Sequence, residues 1–251
     1  MKGIPGTITP EGKYVENQVI ACYQTDAGKK LRPAAFMDIA QEIAFRAANV
    51  MGFGYDNLIR TSHAWVLSRL HFRYSGLVSW RDEITLSTWN RGPFGPFYLR
   101  DFRLEGENGS ILATSSWVVL DLQARAMTRH LDLFDAIPPQ YQCSEAVLEE
   151  PAPKVIIPRD TLPEFAGIHR VSYSDIDMLG HTNNARYMVW AMECLPDELA
   201  SEKCPKDVYI NFIHETKLDD DVTLWRVDKD SSIYILGKIG EENAFTVRLD
   251  Y

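Results

Sequence analysis

The sequence predicts an α+β protein built from two similar halves, each with an antiparallel sheet of about five strands covered by one long helix. Both halves show the same order of patterns, namely a strand, a helix and four further strands. Residues 138–163 contain six prolines and an acidic pair, a composition typical of an extended linker. We therefore expect an N-terminal domain over residues 1–137, this linker, and a C-terminal domain over residues 164–251.

The first half begins with a predicted strand over residues 18–24. A strong helical pattern follows from Pro33, with one apolar face made by Phe36, Ile39, Ala40, Ile43, Ala47 and Val50. Gly52 supplies a helix stop. The alternation of apolar residues then predicts four strands, over residues 64–74, 83–89, 97–105 and 111–121.

The second half repeats this order. Residues 167–173 are predicted as a strand, and residues 185–195 as a helix that is apolar at nearly every position and therefore buried on most sides. The final four strands are expected at residues 208–214, 222–228, 233–238 and 244–250, with polar turns between them.

Composition and charge exclude several classes of protein. A net charge of −9 argues against a general nucleic-acid binder, which needs clustered Lys and Arg. We find no apolar run of about 18 residues and no signal-peptide pattern, so the sequence predicts no membrane association. The four cysteines have no Cys-x-x-Cys spacing and no metal-ligand spacing with His, so we expect no metal and a reducing, cytoplasmic location, most simply in a bacterium.

One polar stretch carries the candidate chemistry. Residues 173–184 bring together Asp175, Asp177, His181, Asn183 and Asn184, and Gly180 permits a tight bend among them. Asn183 or Asn184 is a suitable N-cap for the buried helix that follows. The free N–H groups of that helix would point back toward the loop, an arrangement that can hold a polarised carbonyl oxygen.

The pattern Tyr-x-Asp-x-Asp-x-x-Gly-His-x-Asn-Asn-x-x-Tyr, from Tyr173 to Tyr187, resembles the hot-dog thioesterase superfamily and looks most like its acyl-ACP thioesterase branch. Residues 65–72, 100–103 and 117–121 resemble segments of the N-terminal half of that family. The resemblance implies a tandem hot-dog fold, with two antiparallel sheets each wrapping a long helix. It also implies hydrolysis of fatty acyl-ACP to free fatty acid and holo-ACP, ending chain elongation, without a cofactor.

The family resemblance further assigns roles within the site. Residues 209–217 are similar to the strand that supplies the family's carboxylate, and Glu215 occupies its place. We therefore predict Asp177, His181 and Glu215 as catalytic residues. Glu215 or Asp177 would activate water, while His181 would orient it, polarise the carbonyl or carry the proton. In another branch of the superfamily the residue at the Asp177 position attacks the thioester directly, so a mechanism through a covalent anhydride is an alternative.

Three further residues are predicted to bind substrate or the oxyanion: Gly180, Asn183 and Asn184. Plant members of the family carry Asn where this chain has Leu179, so one side-chain amide donor is lost. Either backbone N–H groups at Gly180 and the helix N-terminus replace it, or Asn183 or Asn184 does, or activity is reduced. The plant Cys after the Glu is replaced by Thr216. A thiol nucleophile is therefore not expected at that position.

Aligning the halves at Tyr23 and Tyr173 indicates where the chemistry lies. The first half has Thr25, Ala27, Leu31 and Ala34 at the positions of Asp175, Asp177, His181 and Asn184. The aromatic residues of the first half fit either an acyl-chain pocket or an ordinary core: Trp65, Phe72, Trp89, Phe94, Phe97 and Trp117.

Partners follow from the same resemblance. The basic run that contains Lys29, Lys30 and Arg32 could dock an acidic acyl carrier protein. A homodimer is possible. Two rival functions are an acyl-CoA thioesterase and a non-catalytic acyl sensor on the same fold.

Overall fold

The computed structural model describes residues 6–124, 126–128, 138–196, 199 and 203–251. Within these residues, one antiparallel sheet of 12 strands runs through the whole molecule. The strands are β1 (Thr7–Ile8), β2 (Tyr14–Val19), β3 (His63–Gly76), β4 (Glu83–Phe94), β5 (Phe97–Glu105), β6 (Gly109–Asp121), β7 (Ala126–Thr128), β8 (Glu164–Arg170), β9 (Asp207–Phe212), β10 (Asp221–Lys229), β11 (Ser232–Ile239) and β12 (Glu242–Asp250). The helices are α1 (Pro33–Met51), α2 (Tyr55–Arg60) and α3 (Asn184–Glu193).

Helix α1 confirms the first predicted helix. It begins at Pro33, whose missing N–H costs nothing at a helix start. It ends where Gly52 takes a left-handed conformation with φ 87°, which lets its N–H reach the last carbonyls. Its apolar face is buried against the sheet through residues that include Phe36, Ile43 and Ala47.

The first predicted strand, residues 18–24, is misplaced. The strand is β2 (Tyr14–Val19), and Cys22–Gln24 forms a 3₁₀ turn. The side chain of Gln24 accepts a hydrogen bond from the N–H of Ala21 at 2.8 Å, so this backbone bonds locally instead of joining the sheet.

The second half departs from its prediction in the same way. Its first strand ends at Arg170, and Tyr173–Asp175 forms a 3₁₀ turn. The carboxylate of Asp175 accepts hydrogen bonds from the N–H of Ser172 at 2.8 Å and its hydroxyl at 2.9 Å, closing this turn. The predicted buried helix is confirmed as α3, with Tyr187, Met188, Trp190 and Ala191 inside the core.

The two predicted sheets are joined into one. Strands β3 and β9 pair in antiparallel register, with Arg69 opposite Asn211 and Arg73 opposite Asp207. Helices α1 and α3 lie on the same face of this sheet and pack against each other. A common hydrophobic core therefore extends through both halves.

The predicted linker packs on the opposite face of the sheet. The indole N–H of Trp89 donates to the carbonyl of Glu145 at 2.8 Å, and the N–H of Val147 donates to Asp101 at 3.0 Å. Farther along, the N–H of Val155 donates to the side chain of Asn211 at 2.6 Å. The segment thus spans from the first half to the second. The domain boundary predicted at residue 137 lies outside the described residues and stays a prediction.

Candidate functional site

The motif loop is a tight hairpin that ends at α3. The N–H of Asp177 donates to the carbonyl of His181 at 2.8 Å, and the N–H of Gly180 donates to the carbonyl of Asp177 at 3.0 Å. Gly180 has φ 80°, a conformation that residues with a Cβ rarely adopt. This glycine therefore allows the chain to reverse just before His181.

The carboxylate of Asp177 stabilises this hairpin by hydrogen bonds to its backbone. Its Oδ1 atom accepts hydrogen bonds from the N–H of Leu179 at 2.8 Å and from the N–H of His181 at 3.5 Å. One of the two oxygens is thus engaged with the backbone of the loop. Asp177 is a structural part of the bend as well as a predicted catalytic group.

The structure brings His181 and Glu215 together. The Nδ1 atom of His181 lies 2.9 Å from Oε1 of Glu215, and the two side chains are 57% and 41% exposed. A neutral imidazole paired in this way carries its proton on Nδ1 and leaves Nε2 as an acceptor. The free side of the ring can therefore accept a proton from a bound molecule.

Three buried hydroxyl groups connect the two segments that carry this pair. Thr216 Oγ1 donates to Thr182 Oγ1 at 2.7 Å, and Thr182 Oγ1 donates to the carbonyl of Thr216 at 2.9 Å. The hydroxyl of Tyr187 lies 3.1 Å from Thr216 Oγ1 and accepts from the N–H of Thr216 at 3.1 Å. We call these residues the hydroxyl cluster. No sequence pattern indicates this cluster, although Thr182 and Thr216 directly follow His181 and Glu215.

Asp175 supports the loop from the core side. Its Oδ2 atom lies 3.0 Å from Nε2 of His169, whose ring stacks on Trp190 at 4.3 Å. Burial alone would raise the pKa of Asp175, but hydrogen bonds from His169 and Ser172 outweigh it and hold that pKa below its usual value. Asp175 is therefore a stable anion that anchors the start of the motif.

The three predicted substrate-binding residues differ in what they can offer. The N–H of Gly180 is already bonded within the hairpin. Asn183 is the N-cap of α3, because its side-chain oxygen accepts from the N–H of Ala185 at 2.8 Å. Asn184 lines a cavity. Its side chain is therefore placed to meet a ligand.

That cavity lies between the two halves. It is small, about 20 Å³, and mostly apolar. Its walls come from α1, the first-half sheet and the start of α3: Met37, Ala40, Gln41, Leu67, Leu70, Phe102, Ser115, Trp117 and Asn184. Of the six aromatic residues considered for an acyl pocket, Trp117 lines it, whereas Phe72 and Trp89 are fully buried core residues.

Three further features concern metal ligands, cysteine thiols and membrane-spanning helices. No group of three His, Cys, Asp or Glu side chains among them could hold a metal ion. Burial raises the pKa of Cys194 and of Cys204 to about 11, so neither thiol is a ready nucleophile. No described helix has the length and hydropathy needed to cross a membrane.

Comparison with known families matches both halves of the chain. Residues 11–136 match the model of the acyl-ACP thioesterase N-terminal domain, and residues 163–244 match that of the C-terminal domain. The chain is 24% identical to the chloroplastic oleoyl-acyl carrier protein thioesterase of Coriandrum sativum, over 98% of this chain and 72% of that protein. It is 25% identical to oleoyl-acyl carrier protein thioesterase 2 of Arabidopsis thaliana, over 86% of this chain and 63% of that protein.

Solved structures establish the fold. An acyl-ACP thioesterase from Bacteroides thetaiotaomicron superposes with a TM-score of 0.84 at 20% identity, covering 95% of this chain and 97% of that one. A 12:0-ACP thioesterase from Umbellularia californica superposes with a TM-score of 0.83 at 19% identity, covering 95% and 96%. The fold is therefore the predicted tandem hot-dog fold.

Proposed function

Because the chain belongs to the acyl-ACP thioesterase family, with matches to both of its domain models, we propose that it hydrolyses the thioester of fatty acyl-ACP. The products are a free fatty acid and holo-ACP, so the reaction ends chain elongation. The observation that carries the proposal is the 2.9 Å pair of His181 and Glu215. A small, mostly apolar cavity reaches Asn184, three residues after His181.

The pair suits the activation of water. A water molecule attacks the thioester carbonyl carbon while its proton passes to Nε2 of His181, and Glu215 stabilises the imidazolium that forms. The tetrahedral intermediate then collapses, the C–S bond breaks, and the proton moves from His181 to the departing thiolate. One water is consumed, and one carboxylic acid and one thiol are produced.

Asp177 is better suited to support this step than to attack the carbonyl itself. Its Oδ1 atom accepts two backbone hydrogen bonds that shape the hairpin around His181. An attack by this carboxylate would weaken those bonds while the acyl group is attached. We therefore favour hydrolysis by water over a covalent anhydride at Asp177.

The proposed partner is an acyl carrier protein. Lys29, Arg32 and Arg81 are exposed. The guanidinium of Arg81 lies 4.1 Å from the centroid of the Trp80 ring, and the ammonium of Lys29 lies 5.8 Å from the same ring, so Lys29 and Arg81 are neighbouring charges on the surface. We also propose a cytoplasmic location, where free thiols such as that of Cys22 stay reduced. The homodimer stays a prediction.

The decisive experiment is a thiol-release assay with acyl-ACP substrates of graded chain length, with the same acyl chains on coenzyme A measured in parallel. We expect catalytic turnover and a higher kcat/KM for acyl-ACP. A higher kcat/KM for acyl-CoA would move the assignment to the other carrier. Stoichiometric binding without release of thiol would show an acyl sensor in place of an enzyme.

A further inference from the structure

Three amide side chains from both halves of the chain meet at the cavity. Asn183 and Asn184 stand at the start of α3, whereas Gln41 projects from α1 in the first half. Gln41 and Asn184 both line the cavity, and Nδ2 of Asn183 lies 3.5 Å from Oε1 of Gln41. Gln41 is therefore a first-half residue that reaches the start of α3, next to the predicted catalytic loop.

The loop itself has few donors left for a thioester oxygen. Leu179 has no polar side-chain atom. The nearby N–H groups of Gly180, Asn183, Ala185 and Arg186 are engaged at 3.0, 2.8, 2.8 and 2.9 Å by Asp177, Asp175 and Asn183. The N–H of Asn184, the first residue of α3, is not among these bonded groups, so it is one donor available to an oxyanion formed next to His181, and further donors would add to it.

Gln41 has the required donor and a defined orientation. Its Oε1 atom faces the amide of Asn183, so its Nε2 group points away from Asn183. Among the described residues, none forms a hydrogen bond with Gln41 Nε2 or with the side chain of Asn184. Gln41 is solvent-exposed, as are His181 and Glu215, and its side chain reaches Asn183, two residues after His181.

We propose that Gln41 is a catalytic residue that donates a hydrogen bond from Nε2 to the thioester carbonyl oxygen, with the amide of Asn184 as a second donor. The charge that develops on this oxygen during the attack of water strengthens both bonds. The inference rests on the proposed thioesterase function and adds that the first half contributes to the chemistry. It also explains how a chain with Leu179 in its motif can stabilise the intermediate.

The test compares Gln41→Met, which keeps the length of the side chain but removes its donors, with Glu42→Gln on the next position of the same helix. Glu42 forms a surface pair with Arg46, so its substitution controls for disturbance of α1. We expect Gln41→Met to lower kcat for acyl-ACP by roughly 100- to 1000-fold with little change in KM, the usual cost of removing an oxyanion donor. Glu42→Gln should stay within about twofold of the wild type, since surface substitutions have small effects.

A third variant, Gln41→Glu, separates a donor from a packing role. A carboxylate cannot donate, but a protonated carboxyl can. The ratio of Gln41→Glu activity to wild-type activity should therefore rise as the pH is lowered toward about 5, near the ordinary Glu pKa. A purely structural role of Gln41 predicts a flat ratio.

The outcomes distinguish this inference from the proposed function. Wild-type turnover together with unchanged kcat in Gln41→Met would overturn the role of Gln41 and leave the enzyme assignment intact. A higher KM with unchanged kcat would also overturn it, because the contact would then serve ground-state binding. Absence of turnover in the wild type would overturn the proposed function itself.

Discussion

The hydroxyl of Thr216 donates to the hydroxyl of Thr182 at 2.7 Å, although 34 residues separate them. Because Thr182 follows His181 and Thr216 follows Glu215, this buried contact fixes the spacing of the exposed pair. An exposed ion pair alone contributes about 0–1 kcal/mol and would hold its geometry poorly. The hydroxyl cluster therefore provides the rigidity that the His181–Glu215 pair lacks.

Removing the hydroxyl of Thr216 should loosen the site. Thr216→Val eliminates its hydrogen bonds to Thr182 and Tyr187, and we expect a loss of about 1–3 kcal/mol in the free energy of unfolding. A shift of His181 against Glu215 should also lower kcat roughly 10- to 100-fold. Urea denaturation and thiol-release kinetics measure the two effects. Thr216→Ser keeps the hydroxyl and should restore both, whereas equal kcat in the Val and Ser variants would argue against a positioning role.

Substitution of the predicted catalytic residues should reduce turnover without unfolding the protein. We expect His181→Ala, Glu215→Gln and Asp177→Asn each to lower kcat/KM for acyl-ACP at least about 100-fold, the general size of an acid or base contribution. Circular dichroism and thermal unfolding check the fold. His214→Ala is the matched control, because His214 is exposed and directly precedes Glu215. Wild-type rates in His181→Ala and Asp177→Asn would exclude the proposed site.

The route of hydrolysis can be read from an isotope label. If water attacks the thioester directly, a single turnover in ¹⁸O-water places the label in the released fatty acid and none in the protein. Attack by Asp177 would form an anhydride, and hydrolysis of this anhydride by attack of water at the Asp177 carbonyl carbon would leave ¹⁸O in that carboxylate. Mass spectrometry of the peptide that contains Asp177 measures this. Label in that peptide would contradict the water mechanism favoured by its hydrogen bonds.

Carrier recognition should depend on the basic run in the first half. Replacing Lys29, Lys30 and Arg32 together with Ala should raise KM for acyl-ACP about fivefold at low salt, because the exposed Lys29 and Arg32 would each lose an ion pair of about 0.5 kcal/mol, about 1 kcal/mol together, whereas Lys30 is half-buried. The difference should shrink at high salt because the charges are screened. KM for a neutral acyl-pantetheine should not change. An unchanged KM for acyl-ACP at low salt would rule this surface out.

Lowering the pH should destabilise the pairing of β3 with β9, where the two halves meet. Burial alone would raise the pKa of Asp207, but hydrogen bonds from His71 and Arg73 outweigh it and lower that pKa. The carboxylate therefore stabilises the fold above its unfolded pKa of about 3.9, and this contribution is lost as the pH falls through the lower folded value.

The corresponding variant is Asp207→Asn. We expect it to reduce the free energy of unfolding at pH 7 by about 1–3 kcal/mol. The free energy of unfolding of the variant should also fall less steeply than that of the wild type as the pH is lowered. Denaturation curves between neutral and acidic pH measure both. Asp219→Asn serves as the control, because Asp219 is 70% exposed and pairs with Arg170 at the surface. Equal acid sensitivity of the wild type and Asp207→Asn would contradict the prediction.

The sequence predicted those features that depend on local patterns. The start of α1 at Pro33, its stop at Gly52 and the burial of α3 follow from residue spacing and capping preferences. The bend at Gly180 was anticipated from the conformational freedom of glycine, and the proximity of Glu215 to the motif from the resemblance to a family. These predictions required no knowledge of how the two halves pack.

The features that sequence patterns missed depend on contacts between distant residues. Gln41 was missed because it lies outside the motif loop, in the other half of the chain. It comes to lie beside Asn183 only through the packing of α1 against α3. The union of the two sheets depends on the register of β3 against β9, which neither strand specifies alone. The misplaced first strand reflects a side-chain bond of Gln24 that competes with sheet pairing.

The placement of the cavity has a consequence for how such a protein can diversify. Most of its wall is provided by the first half, through residues such as Leu70, Phe102 and Trp117, whereas His181 and Glu215 belong to the second. Substitutions that widen or shorten the wall away from Gln41 therefore need not disturb the reacting groups. Selectivity for a fatty acid and the speed of its release can evolve as largely separate traits within one gene.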